Sequence, residues 1–299
     1  MCKYHHPVML RESVDALNIR PDGVYVDATF GGGGHSCAIL DQLKEGRLYA
    51  FDCDIDAAKN APKDDRFVFI HNNFKYMQNC LRYAGCTSVD GILADLGVSS
   101  HQFDTGERGF SFRFDTPLDM RMNQNSDTTA AHILNTYNKE ALARIFSLYG
   151  EMPLSERAAA LIIEARTHKP IQTTGDLQSA LRAITPHQQP HKFWATLYQS
   201  LRIEVNREIE ALEALLVHAL HLLNSSGRLV IITYHSLEDR LVKNFMRSGN
   251  SDGVVSHDFY GNKETPFMVV TKKAITPSIE ETTQNNRARS AKLRVAQKR

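Results

Sequence analysis

Three aspartates and a cluster of glycines are the residues of this 299-residue chain whose types and spacing suit chemistry. Asp27, Asp52 and Asp95 each stand near the end of a short apolar run, and Phe30-Gly31-Gly32-Gly33-Gly34-His35-Ser36 follows shortly after the first of them. Consecutive glycines permit positive φ and carry no Cβ, so a backbone built from them approaches a bound ligand closely. An acid about twenty residues beyond such a turn is placed to accept both ribose hydroxyls of a nucleoside cofactor, and Asp52 stands there. Hydrogen bonds to a charged acceptor contribute about 1.5–3 kcal/mol each, enough for Asp52 to set much of the affinity. The structural alternative for Asp52, capping the helix expected near residue 55, suits Asp54 better. Asp27 has the stronger structural alternative, bonding the N–H groups of its own turn. His35 can equally be a first-turn helix residue without a ligand. The turn departs from two familiar phosphate loops. Counted from Gly31, the dinucleotide fingerprint G-x-G-x-x-G meets Ser36 at its final glycine, and the Gly-Lys-Ser/Thr of a Walker loop is absent.

These residues need elements to hold them. The first third of the chain alternates strands, expected at 23–29, 47–52, 67–71 and 89–96, with helices at 35–43, 55–61 and 76–83; Pro62 stops the second helix. Repeated units of this kind specify a parallel, doubly wound sheet. Ligands of such sheets bind beyond the carboxyl ends of the strands, where all three acids fall. From about 104 to 199 the pattern is helical and shows no strand, with helices expected at 130–134, 140–146, 156–166 and 175–184. A single long helix is expected over 201–223, then a strand at 227–234, a helix at 237–246, and closing strands near 267–271 and 292–296. The expected organisation is a discontinuous α/β domain, residues 1–103 and 200–299, with a helical substrate-recognition domain, 104–199, inserted after the fourth strand.

Hydrophobic residues at 42% and charged residues at 23% are ordinary globular values. No run approaches the roughly 18 apolar residues a membrane span needs. Residues 1–7 lead into an amphipathic segment and lack the apolar centre of a signal peptide. Five cysteines without a C-x-x-C pair argue against a disulfide framework and a thiolate zinc site. A reducing cytoplasm is the simplest compartment, and no metal is expected. The net charge of +1 excludes a polycation, yet residues 287–299 carry many basic groups and no acid. That segment can pair with phosphates, although by itself it reads as a solvated, frayed terminus. The helical stretch carries Arg108, Arg113, Arg121, Arg144, Arg157, Arg166, Lys169 and Arg182, with Trp194 and Tyr198 near its end. Basic groups interleaved with aromatics suit single-stranded RNA, and a helical lid with solvated arginines is the plain alternative.

Read from Asp27, the turn is similar to the methyltransferase pattern acid-x-G-x-G-x-G, with Thr29 in place of the first glycine. As a block, Asp27-Ala28-Thr29-Phe30-Gly31-Gly32-Gly33-Gly34-His35-Ser36 resembles the nucleotide turn of the MraW/RsmH family of bacterial 16S rRNA (cytosine-N4)-methyltransferases. The likeness continues through Asp90-Gly91-Ile92-Leu93-Ala94-Asp95-Leu96-Gly97-Val98-Ser99-Ser100 and Glu107-Arg108-Gly109-Phe110-Ser111-Phe112. It recurs in Pro117-Leu118-Asp119-Met120-Arg121-Met122, Leu201-Arg202-Ile203-Glu204-Val205-Asn206, Tyr234-His235-Ser236-Leu237-Glu238-Asp239-Arg240 and Arg287-Ala288-Arg289-Ser290-Ala291-Lys292-Leu293-Arg294. These blocks stand in the family's order from end to end. The resemblance implies a Rossmann-like class I methyltransferase sheet with an inserted helical domain. It implies S-adenosylmethionine (SAM) as methyl donor, and as acceptor the N4 amine of a cytidine in the decoding region of 16S rRNA, in the small ribosomal subunit. It puts cofactor contacts on Gly33, Gly34, His35, Asp52, Phe74, Asp95 and Gln102; the Phe74 ring either packs against adenine or belongs to the core. Two departures stand out. Gly32 replaces a residue often basic in the family, removing one anion contact, and His191-Lys192-Phe193-Trp194-Ala195-Thr196, before the long helix, differs from the usual His-Pro-Ala-Thr. Oligomeric state stays open, a dimer included.

The chemistry implied is demanding. A sulfonium methyl is strongly electrophilic, whereas the exocyclic amine of cytosine is a poor nucleophile because its lone pair is conjugated into the ring. Alignment of amine, methyl and sulfur can lower the barrier by about 7–11 kcal/mol. An acceptor beside the amine turns the lone pair towards the methyl and stabilises the growing positive charge. Many amino-methyltransferases place an Asp/Asn-Pro-Pro-aromatic turn after the fourth strand; Asp95-Leu96-Gly97-Val98 keeps the carboxylate and lacks the prolines and the aromatic. Asp95 and His235 are therefore the candidate catalytic residues. Asp95 would lie beside cofactor amine and target base; His235 would accept the released proton or, equally, serve as a hydrogen-bonded turn histidine. Gripping the base then falls to the 234–236 turn or to the insert. Three rivals stay open: an NAD-linked dehydrogenase, disfavoured by Ser36; a non-catalytic RNA-binding protein that keeps SAM as a structural ligand; and a small-molecule methyltransferase, disfavoured by the size of the insert.

Overall fold

A computed structural model of the chain describes residues 7–299; the expectations for the first six residues, Cys2 among them, lie outside the described residues. In chain order the elements begin with α1 (Leu10–Leu17), β1 (Val24–Asp27), α2 (Gly34–Leu40), β2 (Arg47–Asp52), β3 (Phe67–His71), α3 (Met77–Tyr83) and β4 (Val89–Asp95). Helices follow: α4 (Ser100–Asp104), α5 (Ala130–Thr136), α6 (Lys139–Gly150), α7 (Ser155–His168), α8 (Thr174–Leu181), α9 (Pro190–Asn206) and α10 (Glu208–Leu222). Last come β5 (Leu223–Thr233), α11 (Ser236–Ser248), β6 (Ser256–His257), β7 (Lys263–Glu264), β8 (Phe267–Val269), α12 (Ile279–Gln284) and β9 (Lys292–Lys298). The described chain divides into two compact units, one ending at Gly97 and resuming at Ile209, the other running from Val98 to Glu208.

The first unit is built on a sheet of order β3-β2-β1-β4-β5-β9-β8. Strands β1 to β5 run parallel, and β9 is antiparallel to both of its neighbours. The chain moves outward from β1 through β2 to β3, then returns to the other side of β1 with β4. Beyond the carboxyl ends of β1 and β4 lies the crevice where doubly wound sheets bind ligands. Alternating residues of each strand serve opposite faces. Ile92, Leu229 and Ile231 pack with Leu212, Leu215 and Phe245 of α10 and α11, while Leu93, Val230 and Ile232 pack with Val14, Leu17 and Ile39 of α1 and α2. Burial on both faces explains why these strands read as continuous apolar runs.

The basic C-terminus is no frayed tail. As β9 it lies between β5 and β8, with Leu293, Val295 and Ala296 buried. Two of its cations are already paired: Arg294 Nε sits 2.6 Å and Lys292 Nζ 3.2 Å from the carboxylate of Asp239 on α11. No described helix is long and apolar enough to cross a membrane.

The second unit is helical, and its core gathers Ile133, Leu142, Phe146, Ile162, Leu177 and Leu201. It runs from Val98 to Glu208 rather than from 104 to 199, because Val98 and the later turns of α9, through Leu201 and Val205, pack into this core. The single helix expected over 201–223 is in fact two. Arg207 adopts φ 49°, a left-handed conformation that closes α9, and Arg202 forks onto Glu208 across the break at 2.7 and 2.8 Å. Pro190 occupies the first turn of α9, so residues 191–196 lie inside the helix rather than before it.

Candidate active site

Asp27 ends β1 fully buried and spends its carboxylate on the turn that follows, accepting from the Thr29 amide at 3.1 Å and the Ser36 hydroxyl at 2.7 Å. Gly31 and Gly33 adopt φ of 52° and 78°, the left-handed region that glycine enters at no steric cost. A Cβ on Gly34, at the start of α2, would strike Pro7 Cγ at 2.1 Å. The glycines are thus required by the turn itself as well as by any ligand it meets.

Asp52 ties the next strand to the same turn. Its Oδ2 accepts the Gly31 amide at 2.7 Å and its Oδ1 the Asp54 amide at 2.8 Å. A carboxylate offers about four lone-pair positions, so both oxygens keep acceptor capacity. Asp54, not Asp52, caps the 3-10 turn Ile55–Asn60 by accepting from Asp56 N. Asn60 closes the loop from the other side, donating to Gly31 O at 3.0 Å.

Asp95 ends β4. Its amide donates to Thr29 Oγ1 at 2.7 Å, and its Oδ1 accepts the Tyr234 hydroxyl at 2.7 Å. Burial pushes the carboxyl up to about 6, with the neighbouring charge of His35 and the Tyr234 hydroxyl acting the other way. Burial likewise lifts Asp52 and Asp27 to about 6. Among the described residues no lysine or arginine forms an ion pair with any of the three. Asp52 and Asp95, partly exposed at the ends of their strands and without a lysine or arginine partner among the described residues, suit a ligand that brings a positive centre, an amine and vicinal hydroxyls, which is the chemical make-up of SAM.

His35 is buried in the first turn of α2, its Nε2 3.2 Å from Val8 O, and burial holds its pKa below the ordinary histidine value. Phe74 opens the 3-10 turn Phe74–Tyr76 half-buried, part of its ring packed against the core and part exposed. The first unit therefore carries Gly33, Gly34, His35, Asp52, Phe74 and Asp95 on the loops that follow, or the residues that end, β1 to β4. Gln102 is different. It belongs to the second unit, buried in α4, where it forms a reciprocal capping box with Ser99. His235 is the N-cap of α11, accepting weakly from Glu238 N at 3.5 Å, and its Nε2 lies 3.0 Å from Glu238 Oε1 without the alignment of a hydrogen bond.

Several residues of the helical unit are occupied internally. Trp194 and Tyr198 are buried, Tyr198 with its hydroxyl on Thr174 at 2.9 Å, so neither is a stacking platform at the surface. Arg108 is buried and donates to the Arg121 and Met122 carbonyls; Arg121 forks onto Asp119, Arg166 donates to the Leu134 and Tyr137 carbonyls, and Lys169 pairs with Asp176. Arg113, Arg144, Arg157 and Arg182 remain exposed, as does Phe114.

Sequence reasoning missed Thr29 and Tyr234 as partners of Asp95. The signal for Thr29 was its hydroxyl standing where the pattern has a glycine; for Tyr234 it was a phenol directly after a strand that neighbours β4.

A profile of the MraW methylase family matches residues 3–299. The chain is 55% identical over 297 residues to the ribosomal RNA small subunit methyltransferase H of Parabacteroides distasonis, covering 99% of this chain and 97% of that protein. The corresponding figures are 54%, 99% and 98% for the protein of the same name from Bacteroides fragilis, and 51%, 99% and 98% for that from Flavobacterium johnsoniae. Among solved structures it is loosely similar to an rRNA methylase from Streptococcus thermophilus, with 13% identity, 99% of each chain covered and a TM-score of 0.42.

Proposed function

Since the chain belongs to the MraW methylase family, we propose that this SAM-dependent methyltransferase modifies small-subunit ribosomal RNA, at the N4 amine of a cytidine in the decoding region of 16S rRNA. The observation that carries the reading is the end-to-end match, at 51–55% identity, to proteins named for rRNA small-subunit methylation. The carboxylates at the ends of β1, β2 and β4, none of them in an ion pair with a described lysine or arginine, support it.

When bound, SAM would supply an electrophilic methyl group on a sulfonium, the S–CH3 bond breaking as the N–CH3 bond forms and the demethylated thioether, S-adenosylhomocysteine, departing with the sulfur electron pair. Asp52 would take the ribose hydroxyls on the lone pairs not used by the Gly31 and Asp54 amides. Gly33, Gly34 and His35 at the start of α2, and the partly exposed ring of Phe74, are the other residues that would hold the cofactor. Asp95 would accept a hydrogen bond from the cytidine amine, orient its lone pair and stabilise the charge that grows on nitrogen. The methylated amine must then lose one proton, and Asp95, ionised above a pH of about 6, is the acceptor we assign. His235 holds the turn through Glu238 instead. We carry the Gln102 cofactor contact over from the family resemblance alone. The second unit is assigned to RNA, with exposed Arg113, Arg144, Arg157 and Arg182 on phosphates and Phe114 on a base. The five cysteines, with no C-x-x-C pair among them, suit work in the cytoplasm.

The test is product mapping. Small subunits from cells lacking the protein are incubated with it and labelled SAM, and the rRNA is digested and analysed by mass spectrometry. Label on the exocyclic nitrogen of one decoding-region cytidine is expected. Label on a ring carbon, on a ribose, or in no rRNA fragment contradicts the proposal.

A further inference from the structure

Asp95 is held by two elements besides its own. Strands β4 and β5 pair in parallel with Asp95 opposite Ile232, so Tyr234 emerges from β5 just past the end of the neighbouring strand. Its hydroxyl reaches back to Asp95 Oδ1 at 2.7 Å. Gly97 leaves β4 at φ 100°, and a Cβ built there would lie 3.6 Å from Cδ2 of the Tyr234 ring, so the ring rests beside the departing chain. The backbone of Tyr234 is fixed as well: its amide donates to Glu238 Oε2 at 3.0 Å, and the other oxygen of Glu238 faces His235 Nε2 at 3.0 Å. Thr29 holds the Asp95 amide from the glycine turn. Among the described residues a donor reaches Oδ1 of Asp95 and none reaches Oδ2.

We infer that Tyr234 is a positioning residue for methyl transfer: its phenol fixes the Asp95 carboxylate by Oδ1 and leaves Oδ2 for the amine of the acceptor base. The inference rests on the role proposed above for Asp95. A carboxylate free to rotate would present either oxygen at varied angles, and a fixed acceptor avoids reorganisation as charge develops. The surrounding charges favour this assignment. Burial first, then the charges of Asp95, Glu238 and Glu281, raise the Tyr234 phenol, so it stays protonated and remains a donor. His35, Asp27 and Glu238 are the other charged or titratable groups acting on Asp95. The Tyr234 hydrogen bond favours the ionised carboxyl against burial. Without the phenol, the carboxyl therefore ionises at higher pH.

The experiment compares Tyr234→Phe, Asp95→Asn and the double variant. It reads kcat and KM across pH, SAM affinity by calorimetry, and the Asp95 carboxyl titration by carbon NMR in the free protein. Tyr234→Phe is expected to lower kcat by about ten- to a hundredfold, the worth of one hydrogen bond to a charged group. It should leave SAM affinity unchanged, move the acid limb of kcat and the Asp95 titration to higher pH, and add nothing to Asp95→Asn in the double variant. If Asp95→Asn is slow while Tyr234→Phe turns over normally with an unmoved limb, the inference about Tyr234 is wrong and the role of Asp95 stands. If Asp95→Asn turns over at the wild-type rate, both fall. Weakened SAM binding in Tyr234→Phe with an unmoved Asp95 titration would mark a merely structural role and overturn the inference.

Discussion

A carboxylate withdrawn even partly from water opposes folding once it ionises, and the strand ends of this site hold three, Asp27 buried and Asp52 and Asp95 partly so. Asp95 shows the sign most simply. Its folded value of about 6 lies above the ordinary 3.8, so below about 4 it is protonated in both states and costs little. As pH rises through 6 the folded protein must accept a charge that the unfolded chain carries easily, and stability is lost. A shift of about two units corresponds to about 3 kcal/mol at most. Asp95→Asn keeps an oxygen for the Tyr234 hydroxyl and removes the charge. Relative to wild type, its unfolding free energy in denaturant titrations should therefore rise between pH 4 and pH 6, by up to about 3 kcal/mol. A difference that stays constant with pH would show that Asp95 carries no such burden. Asp64 runs the other way: its partner Arg66 holds it down at about 2, so its contribution is present at neutral pH and lost only in acid.

At the level of elements, conformation and packing divide the work. Arg207 sits left-handed between α9 and α10, and Arg202, half-buried, forks onto the equally sheltered Glu208. Arg202→Ala leaves that carboxylate unpaired and should cost about 2 kcal/mol, read as a lower thermal midpoint. An unchanged midpoint would mean the fork is ornamental. This break also marks where sequence reasoning ran out. From Leu201 to Leu222 the apolar spacing stays helical on both sides of the break, and neither glycine nor proline stands at the junction; an arginine forced to φ 49° leaves no signature. The strands Arg47–Asp52 and Phe67–His71 were legible to the residue because each is a short β-rich run with polar flanks. At the site, the acids were legible because strand ends in a parallel sheet are where ligands bind, and a carboxylate there is conspicuous. Thr29 and Tyr234 were not, since their bonds to Asp95 span 66 and 139 residues and no local pattern reports so distant a partner. Trp194 and Tyr198 misled for a related reason: an aromatic at helical spacing reads alike whether it faces a core or a base.

Over the whole molecule, charge is distributed by use. The net charge is only +1, and C-terminal cations that look available in the sequence are partly committed, with Lys292 and Arg294 on Asp239. Within the helical unit Arg108, Arg121 and Arg166 hold loops and helix ends, which leaves Arg113, Arg144, Arg157 and Arg182 to solvent. Asp27, Asp52 and Asp95 show the converse pattern: among the described residues no lysine or arginine forms an ion pair with them, although other acids of the first unit, Asp64 and Asp239 among them, are paired. The account depends on this site answering a sulfonium nucleoside. Calorimetric titration of the purified protein with SAM at pH 7.5 and at pH 5, alongside Asp52→Ala, tests it most directly. The wild type should bind at pH 7.5 and more weakly at pH 5, because Asp52 takes up a proton as pH falls through about 6. Asp52→Ala should lose at least about tenfold in affinity at pH 7.5, the least that forfeiting a hydrogen bond to a charged acceptor implies. Binding by Asp52→Ala equal to wild type, or no heat from the wild type at either pH, would contradict the account.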